Sequence, residues 1–334
     1  MEYTRLGSTG TQVSRLCMGA MSFGSAADWM IPEDQSFAMV KKCLEAGINF
    51  FDTADAYSKG ESEVILGRAL REYGANRDEY VVATKVYIQM ASGPNRGGLS
   101  RKHIMQSIDD SLKRLGMDHV DLYQIHRFDY HTPMEETVEA LNDVVKAGKA
   151  TYVGASSMLG YQFAKYLALA DRLGKTRFVT MQNQYSLLYR EEEREMNPLC
   201  LEEGVGLLPW SPLAGGALAG SREAGTVRSK APLSVTRFNR ESDRKIVQTV
   251  REIAEARGES PAQVALAWVL SKRGVTAPII GASKLAQLDA PIAAVGSKLS
   301  DEEIKLLESI YEPQKLDQTL ARAHNPSPAA PLRA

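Results

Sequence analysis

The feature that most limits the fold of this chain is a regular alternation of short apolar runs with longer amphipathic segments. Each apolar run contains β-branched or aromatic residues and is bounded by Gly, Pro or Asp, a pattern that predicts a strand. The predicted strands cover residues 15–20, 49–53, 80–85, 120–126, 150–156, 178–183, 206–210 and 277–281.

The segments between these strands have the apolar spacing of helices. The predicted helices cover residues 33–46, 62–73, 100–115, 134–147, 160–173, 190–203, 240–256 and 261–271. Strands joined through helices pair in parallel, because each crossover returns the chain across the sheet. An open doubly wound sheet normally carries a G-x-G-x-x-G turn after its first strand, and residues 19–24 (GAMSFG) do not match it. We therefore predict an α/β fold of the (β/α)8 TIM-barrel type.

Three stretches exceed a minimal barrel, and all are assigned to one domain, residues 1–334. Residues 1–14 predict a hairpin that plugs the bottom of the barrel. Residues 213–239 form a long loop after strand seven, rich in Gly, Ser and Arg, which predicts a lid. Residues 312–334 predict a tail that either is mobile or folds over the mouth of the barrel.

Composition narrows the function classes. A formal net charge of -1 argues against a nucleic-acid-binding protein. No apolar run approaches the ~18 residues of a membrane span, which favours a soluble cytoplasmic protein without a membrane partner. Cys17, Cys43 and Cys200 lie far apart, so no metal site is expected. The run 190–194 (REEER) alternates in charge sign and predicts a solvated helix face.

Four polar residues stand where apolar strand runs end or just beyond: Asp52, Tyr57, Lys85 and His126. In parallel barrels the chemistry is located at the carboxyl ends of the strands. A phenol titrates near pH 10, and a neighbouring ammonium is expected to lower that pKa toward neutrality. The set therefore predicts proton transfer to a carbonyl oxygen, with the hydride supplied by a bound carrier.

Taken singly, each residue also has a structural explanation. Asp52 could cap a turn, Lys85 could be a solvated strand end, and His126 could be a satisfied core histidine. The joint spacing favours the functional interpretation.

The sequence resembles the aldo-keto reductase superfamily over roughly residues 3 to 310. The resemblance is carried by residues 47–57 (GINFFDTADAY), 83–85 (ATK), 121–126 (DLYQIH), 154–157 (GASS), 181–183 (MQN), 210–213 (WSPL) and 280–284 (IGASK). It implies that Tyr57 is the proton donor, that Lys85 and Asp52 tune it, and that His126 orients the carbonyl.

The resemblance also implies a nicotinamide cofactor, NADPH with NADH possible. Asp52, Ser156, Ser157 and Gln182 would lie at the nicotinamide, and Trp210 would stack on its ring. The residues implied for the rest of the cofactor are Ser211 and Leu213 at the pyrophosphate, and Gly281, Ser283, Lys284 and Gln287 at the adenosine end. Relatives usually place Glu-Asn where this chain has Ala290-Pro291, which leaves the preference between NADPH and NADH open.

Two other functions are considered beside a carbonyl reductase. A cofactor-sensing regulatory subunit, as in the channel β subunits that resemble this superfamily, commonly has Asn in place of His126. A Schiff-base aldolase using Lys85 is disfavoured by the fit of the cofactor positions. Phe23, Trp29, Tyr87 and Phe128 are the candidates for the wall of an apolar substrate pocket. The sequence indicates neither the carbonyl substrate nor the oligomeric state.

Overall fold

The computed structural model describes residues 1–74, 76–220 and 238–315. The strands in these ranges are β1 (Tyr3–Arg5), β2 (Gln12–Ser14), β3 (Cys17–Gly19), β4 (Phe50–Asp52), β5 (Val81–Val86), β6 (Val120–Ile125), β7 (Ala150–Ser156), β8 (Phe178–Gln182), β9 (Gly206–Leu207) and β10 (Ile279–Ile280). The helices are α1 (Glu33–Glu45), α2 (Glu61–Tyr73), α3 (Arg101–Leu115), α4 (Met134–Lys146), α5 (Gly160–Leu173), α6 (Met196–Glu202), α7 (Glu241–Arg257), α8 (Pro261–Leu270), α9 (Asp289–Ala294) and α10 (Asp301–Glu308).

Eight of the strands form one parallel sheet in the order β10-β3-β4-β5-β6-β7-β8-β9. Its two edges meet through hydrogen bonds. The Leu207 amide donates to the Gly274 carbonyl at 3.0 Å, and the Thr276 amide donates to the Leu207 carbonyl at 2.9 Å. The sheet therefore curls into the predicted TIM barrel, with helices on its outer face.

The strands beside this closure are shorter than the sequence predicts. The last strand covers only Ile279–Ile280, and β9 ends at Leu207. Pro278 and Pro209 lie in the two predicted runs, and proline has no amide hydrogen for a sheet ladder. Pairing continues through single bonds such as the Ile279 amide to the Pro209 carbonyl, at 2.8 Å.

The predicted amino-terminal hairpin is present and closes the amino end of the barrel. Strands β1 and β2 pair antiparallel, with Tyr3 opposite Ser14. The side chains of Leu6 and Val13 are fully buried and pack on inward-facing strand residues, including Phe50 and Leu122. At Gly7 a Cβ atom would lie 2.4 Å from the Val179 carbonyl, so the turn approaches the barrel too closely for a side chain.

One predicted helix is wrong in extent. Residues 190–203 form a 3-10 turn, Glu191–Glu193, and then the short helix α6. Pro198 lies in the first turn of α6, where a missing amide hydrogen is tolerated, but it would break a helix that continued from residue 190.

The same turn contradicts the solvated face predicted for residues 190–194. Glu191 and Glu192 are each only 7% exposed. Glu191 accepts hydrogen bonds from the Tyr311 hydroxyl and the Gln314 amide, both at 2.7 Å, so the segment anchors the chain that follows α10.

Two further predictions fall largely outside the described residues. Of the predicted lid, residues 221–237 are not described, while Ala214–Ala219 form a 3-10 turn. Of the predicted tail, residues 316–334 are likewise outside the described part of the chain.

Candidate active site

The structure brings together the four polar residues singled out from the sequence. Asp52 ends β4, Lys85 lies in β5, and His126 follows β6, so all three stand at the carboxyl end of the barrel. Tyr57 begins a 3-10 turn after β4. The Lys85 Nζ lies 2.5 Å from Asp52 Oδ1 and 3.1 Å from the Tyr57 hydroxyl, and the Tyr57 and His126 ring centroids are 5.8 Å apart.

Lys85 is fully buried and donates three hydrogen bonds. Its partners are Asp52 Oδ1, the Thr53 carbonyl at 2.8 Å, and the Tyr57 hydroxyl. Burial favours a lower lysine pKa, but the Asp52 carboxylate and the Tyr57 phenol outweigh it and raise the pKa of Lys85. Because the ammonium donates to the phenol oxygen, the phenol's own proton is left free for another acceptor.

The expected lowering of the Tyr57 pKa is not what the structure gives. Burial raises the pKa of Tyr57, and the nearby Asp52 charge adds to that effect. Lys85 and Arg127 act in the opposite direction, but their sum is smaller. The expectation rested on the Lys85 ammonium alone, whereas desolvation of the buried Tyr57 phenol has the larger effect on its pKa.

The second oxygen of Asp52 is also satisfied. Oδ2 accepts hydrogen bonds from the side-chain amides of Gln124 and Gln182, both at 2.9 Å. Gln124 was not singled out from the sequence. The available signal was its position two residues before His126 in β6, which puts both side chains on the inner face of the strand.

His126 is 6% exposed and lies edge-on to Tyr57, with an angle of 83° between the ring planes. Burial, Lys85 and Arg127 together hold the pKa of His126 well below its ordinary value. A neutral imidazole carries one N–H donor. Its Nδ1 is buried and has no hydrogen-bond partner among the described residues.

A second acidic residue of the same loop has very different surroundings. Asp55 is fully buried, and its Oδ2 accepts one bond, from the Ser107 hydroxyl at 3.2 Å. Its Oδ1 has no partner within the described chain. Burial and the neighbouring Glu63 raise the pKa of Asp55 to about 7. The nearby guanidinium of Arg114 pairs with Glu63 and not with Asp55: its Nε lies 2.6 Å from Glu63 Oε2.

The residues implied for the nicotinamide form one cluster at the ends of β7, β8 and β9. The Ser156 hydroxyl donates to the Gln182 carbonyl at 2.8 Å, and the Trp210 indole N–H donates to the Ser157 hydroxyl at 3.1 Å. Trp210 remains partly exposed. Ser157 has a φ of 48°, which is rare outside glycine.

Asn183 belongs to this cluster and was missed as a site residue, although it ends the quoted MQN motif. Its Oδ1 accepts the Ser157 amide at 3.0 Å, and its Nδ2 donates to Glu192 at 2.5 Å. Burial raises the pKa of Glu192 to about 7. The buried glutamate thus fixes the orientation of the asparagine that holds the Ser157 backbone.

The residues implied for the phosphates and adenosine lie on loops after β9 and β10. Ser211 has a φ of 51°, and Leu213 precedes the 3-10 turn whose Gly215 and Gly216 also have positive φ. Within this loop the Ala214 amide donates to the Ser211 carbonyl and the Gly216 amide to the Leu213 carbonyl, both at 2.9 Å.

After β10, Gly281 and Lys284 are exposed. The Gln287 side-chain oxygen accepts the amides of Ser283 and Lys284, at 2.8 and 3.1 Å. Pro291, in the departure from the usual Glu-Asn pair, is buried within α9. The donors and the open indole thus fit a nicotinamide dinucleotide.

The four candidates for the substrate pocket occupy unlike places. Phe23 is fully buried in the core, and Phe128 packs edge-on against Tyr130 and Tyr166, with centroids 4.7 and 5.7 Å away. Trp29 and Tyr87 are partly exposed. Tyr87 follows β5 directly and has a φ of 149°, a strained value for a non-glycine residue.

An open cleft lies elsewhere in the described part of the chain, at the amino ends of β5 and β6. It is lined by residues that include Gln12, Arg77, His119 and Asp121. Arg77 and Asp121 pair with each other at 2.7 Å. It carries none of the chemistry gathered at the opposite end of the barrel.

Comparisons with known proteins identify the family of this chain. The profile of the Aldo/keto reductase family matches residues 15–312. Versiconal hemiacetal acetate reductase of Aspergillus parasiticus is 42% identical, with 95% of this chain and 98% of the relative aligned. Aldo-keto reductase dtxS3 of Metarhizium robertsii is 40% identical over 95% of this chain and 92% of the relative. The putative aryl-alcohol dehydrogenase AAD16 of Saccharomyces cerevisiae is 40% identical over 94% and 98%.

The chain therefore belongs to the aldo/keto reductase family. This membership supports an oxidoreductase that acts on a carbonyl group, in a family that generally uses nicotinamide cofactors. In the part of the chain that the structure describes, no helix is long and apolar enough to span a membrane. Within the same residues, no cluster of His, Cys, Asp and Glu is suited to hold a metal ion.

Proposed function

We propose that this protein reduces an aldehyde or ketone to the alcohol, using a nicotinamide cofactor and Tyr57 as the proton donor. The observation that carries the proposal is the direction of one hydrogen bond. Lys85 donates to the Tyr57 oxygen, which leaves the phenol proton for a substrate carbonyl oxygen.

Each residue of the tetrad then has a separate task. The cofactor, when bound, supplies the hydride that reduces the carbonyl carbon. Tyr57 gives its proton to the carbonyl oxygen, so that the C=O double bond becomes an alcohol. Lys85 stabilises the phenolate that remains, and Asp52 holds the lysine in place. The neutral His126 donates an N–H to the same carbonyl oxygen and fixes its approach.

The cofactor is held by the clusters described above. Trp210, with its exposed indole face, stacks on the nicotinamide, and Ser157 and Gln182 bind the carboxamide. Lys284, exposed after β10, suits the 2′-phosphate of NADPH. We keep NADH as the second cofactor, because Ala290 and Pro291 offer adenine no polar side chain.

For the substrate we propose aromatic aldehydes as the first class to examine. Relatives at 40–42% identity carry the names of putative aryl-alcohol dehydrogenases. The partly exposed rings of Trp29 and Tyr87 near the barrel mouth suit a flat apolar substrate.

The test is steady-state oxidation of NADPH by the purified full-length chain with benzaldehyde, together with chromatographic identification of benzyl alcohol. We expect one alcohol formed per NADPH consumed. A protein that binds NADPH tightly, yet turns over no aldehyde, ketone or sugar in a broad panel, would contradict the enzyme and favour a cofactor-binding role without turnover.

A further inference from the structure

Arg127 stands directly beside the catalytic groups, because it follows His126 at the carboxyl end of β6. Its Nη1 donates a hydrogen bond of 2.8 Å to the His126 carbonyl. The Arg127 residue is partly exposed, so its guanidinium is only partly accessible to solvent. It therefore lies where the substrate must enter.

No carboxylate of the described residues neutralises the charge of Arg127. None of the described carboxylates lies within ion-pair distance of it, whereas Arg114 is paired with Glu63 at 2.6 Å. Asp129 is two positions away in the chain, but its oxygens accept the amides of Leu99 and His131, at 2.7 and 2.9 Å. The Thr132 hydroxyl donates a further bond of 2.7 Å to the same carboxylate.

The groups that do interact with this charge are phenols. Tyr57 and Tyr87 both act electrostatically on Arg127, and burial lowers the pKa of the guanidinium. Arg127 in turn favours the ionised forms of Tyr57 and Tyr87. The guanidinium is thus within electrostatic reach of the proposed proton donor on one side and of the strained Tyr87 on the other.

A partly buried guanidinium without a counter-ion is costly unless an anion completes the site. Its planar fork of five N–H donors matches a carboxylate, and among the described residues only Nη1 has a hydrogen-bond partner. The geometry points to Arg127 as a substrate-binding residue that pairs with a carboxylate carried by the carbonyl substrate. This rests on the proposed reductase function and narrows it to anionic aldehydes or ketones.

The location of Arg127 beside His126 further limits the substrate. Arg127 Nη1 lies 2.8 Å from the His126 carbonyl, so a carboxylate bound by Arg127 would belong to the same substrate molecule whose carbonyl oxygen Tyr57 and His126 hold. We expect the protein to reduce a carboxybenzaldehyde with higher kcat/KM than the matching carbamoylbenzaldehyde, which has the same shape without the charge. The 2-, 3- and 4-substituted isomers then locate the anion relative to the carbonyl.

The experiment compares this ratio in the native protein and in Arg127→Gln, with NADPH saturating. We expect kcat/KM for the best carboxylate isomer to fall about 10- to 100-fold more than for its amide, the size of one charge-assisted hydrogen bond. The difference should arise mainly in KM, because the anion is bound equally in the ground and transition states. Benzoate should inhibit the native protein competitively, and Arg127→Gln more weakly.

Two further variants make the result decisive. Arg127→Lys keeps the charge without the fork and should keep part of the carboxylate preference. Arg172→Gln removes the same charge from a side chain that is 70% exposed, and should leave the preference intact. Equal losses for the acid and the amide in Arg127→Gln, or no carboxylate preference in the native protein, would overturn the assignment. Neither result would touch the proposed reductase, which fails only if no carbonyl compound of either kind is reduced.

Discussion

Asp52 and Asp55 belong to the same loop and are both buried, yet their surroundings differ. Asp52 faces the barrel interior, where Lys85, Gln124 and Gln182 satisfy both of its oxygens. Asp55 faces α3, where Ser107 satisfies one oxygen and the other has no partner in the described chain. The difference shows that two equally buried carboxylates of one loop can have very different hydrogen-bond partners.

The largest effect is expected when the phenol proton of Tyr57 is removed, since Asp52 and Lys85 are proposed to support its transfer. Tyr57→Phe deletes only the hydroxyl and should lower the rate of carbonyl reduction by about 10²- to 10⁴-fold, because general acid catalysis is lost. NADPH affinity, measured by fluorescence titration, should change little. Tyr161→Phe removes a hydroxyl from a side chain on α5 that belongs to no site, and serves as the control. Near-normal turnover in Tyr57→Phe would refute the assigned mechanism.

Lys85→Met removes the ammonium group that pairs with Asp52 and donates a hydrogen bond to Tyr57. The variant leaves the Asp52 carboxylate buried without its counter-ion, which typically costs about 3–5 kcal/mol of unfolding free energy. Activity should fall about as far as in Tyr57→Phe, since the phenolate loses its stabilising charge.

Urea unfolding of Lys85→Met and of the double variant Lys85→Met/Asp52→Leu separates the two effects. The double variant should regain stability but not activity, because it no longer buries an unpaired carboxylate. If the single variant unfolds at the same urea concentration as the native protein, the Asp52–Lys85 pair does not stabilise the fold.

For Asp55 we expect the opposite result: removing its charge should raise the free energy of unfolding. Its folded-state pKa of about 7 lies above the ordinary aspartate value of 3.8, so the folded protein binds the extra proton. This group therefore makes stability fall as pH rises from about 4 to about 7. Asp55→Asn cannot ionise, and at pH 8 it should be more stable than the native protein by about 1–3 kcal/mol.

Urea unfolding at pH 5 and at pH 8 checks this prediction. The gain of Asp55→Asn should be clearly larger at pH 8 than at pH 5, and Ser107→Ala should enlarge the native pH dependence by removing a hydrogen-bond donor to the carboxylate. Glu192, whose pKa is also raised to about 7, titrates in both proteins and cancels from the difference. An Asp55→Asn variant that is less stable than the native protein at pH 8 would contradict the prediction, because it would show that the folded protein stabilises the ionised Asp55 carboxylate.

The smallest effect is expected for Lys284, whose charge is exposed to solvent. Lys284→Ala should weaken NADPH binding by about 1–2 kcal/mol and NADH binding much less, if one charge-assisted contact to the 2′-phosphate is lost. Calorimetric titration with each cofactor measures both values. Equal losses for the two cofactors would remove Lys284 from the phosphate site.

The sequence allowed the barrel and the meeting of Asp52, Tyr57, Lys85 and His126 to be predicted, because strand ends in a parallel barrel share one rim. It did not allow the ionisation of these groups to be predicted. Tyr57 was expected to titrate low from its cation alone, whereas burial raises its pKa. Gln124 was passed over because its role depends on which face of β6 meets Asp52. Arg127 lies in a loop, where only the three-dimensional structure shows that its carboxylate neighbour is engaged elsewhere.

The way the barrel closes has a consequence for how the protein is made. Its first strand, β3, pairs with its last, β10, with Cys17 opposite Ile279, and Arg15 donates to carbonyls at Leu270 and Thr276. On the ribosome β3 therefore lacks one neighbour until nearly the whole chain has been synthesised. Strands β4, β5 and β6, which carry the tetrad, are contiguous in the sequence and can pair well before then. The catalytic rim thus has the chance to assemble early, while the ring closes last through the contacts most distant along the chain.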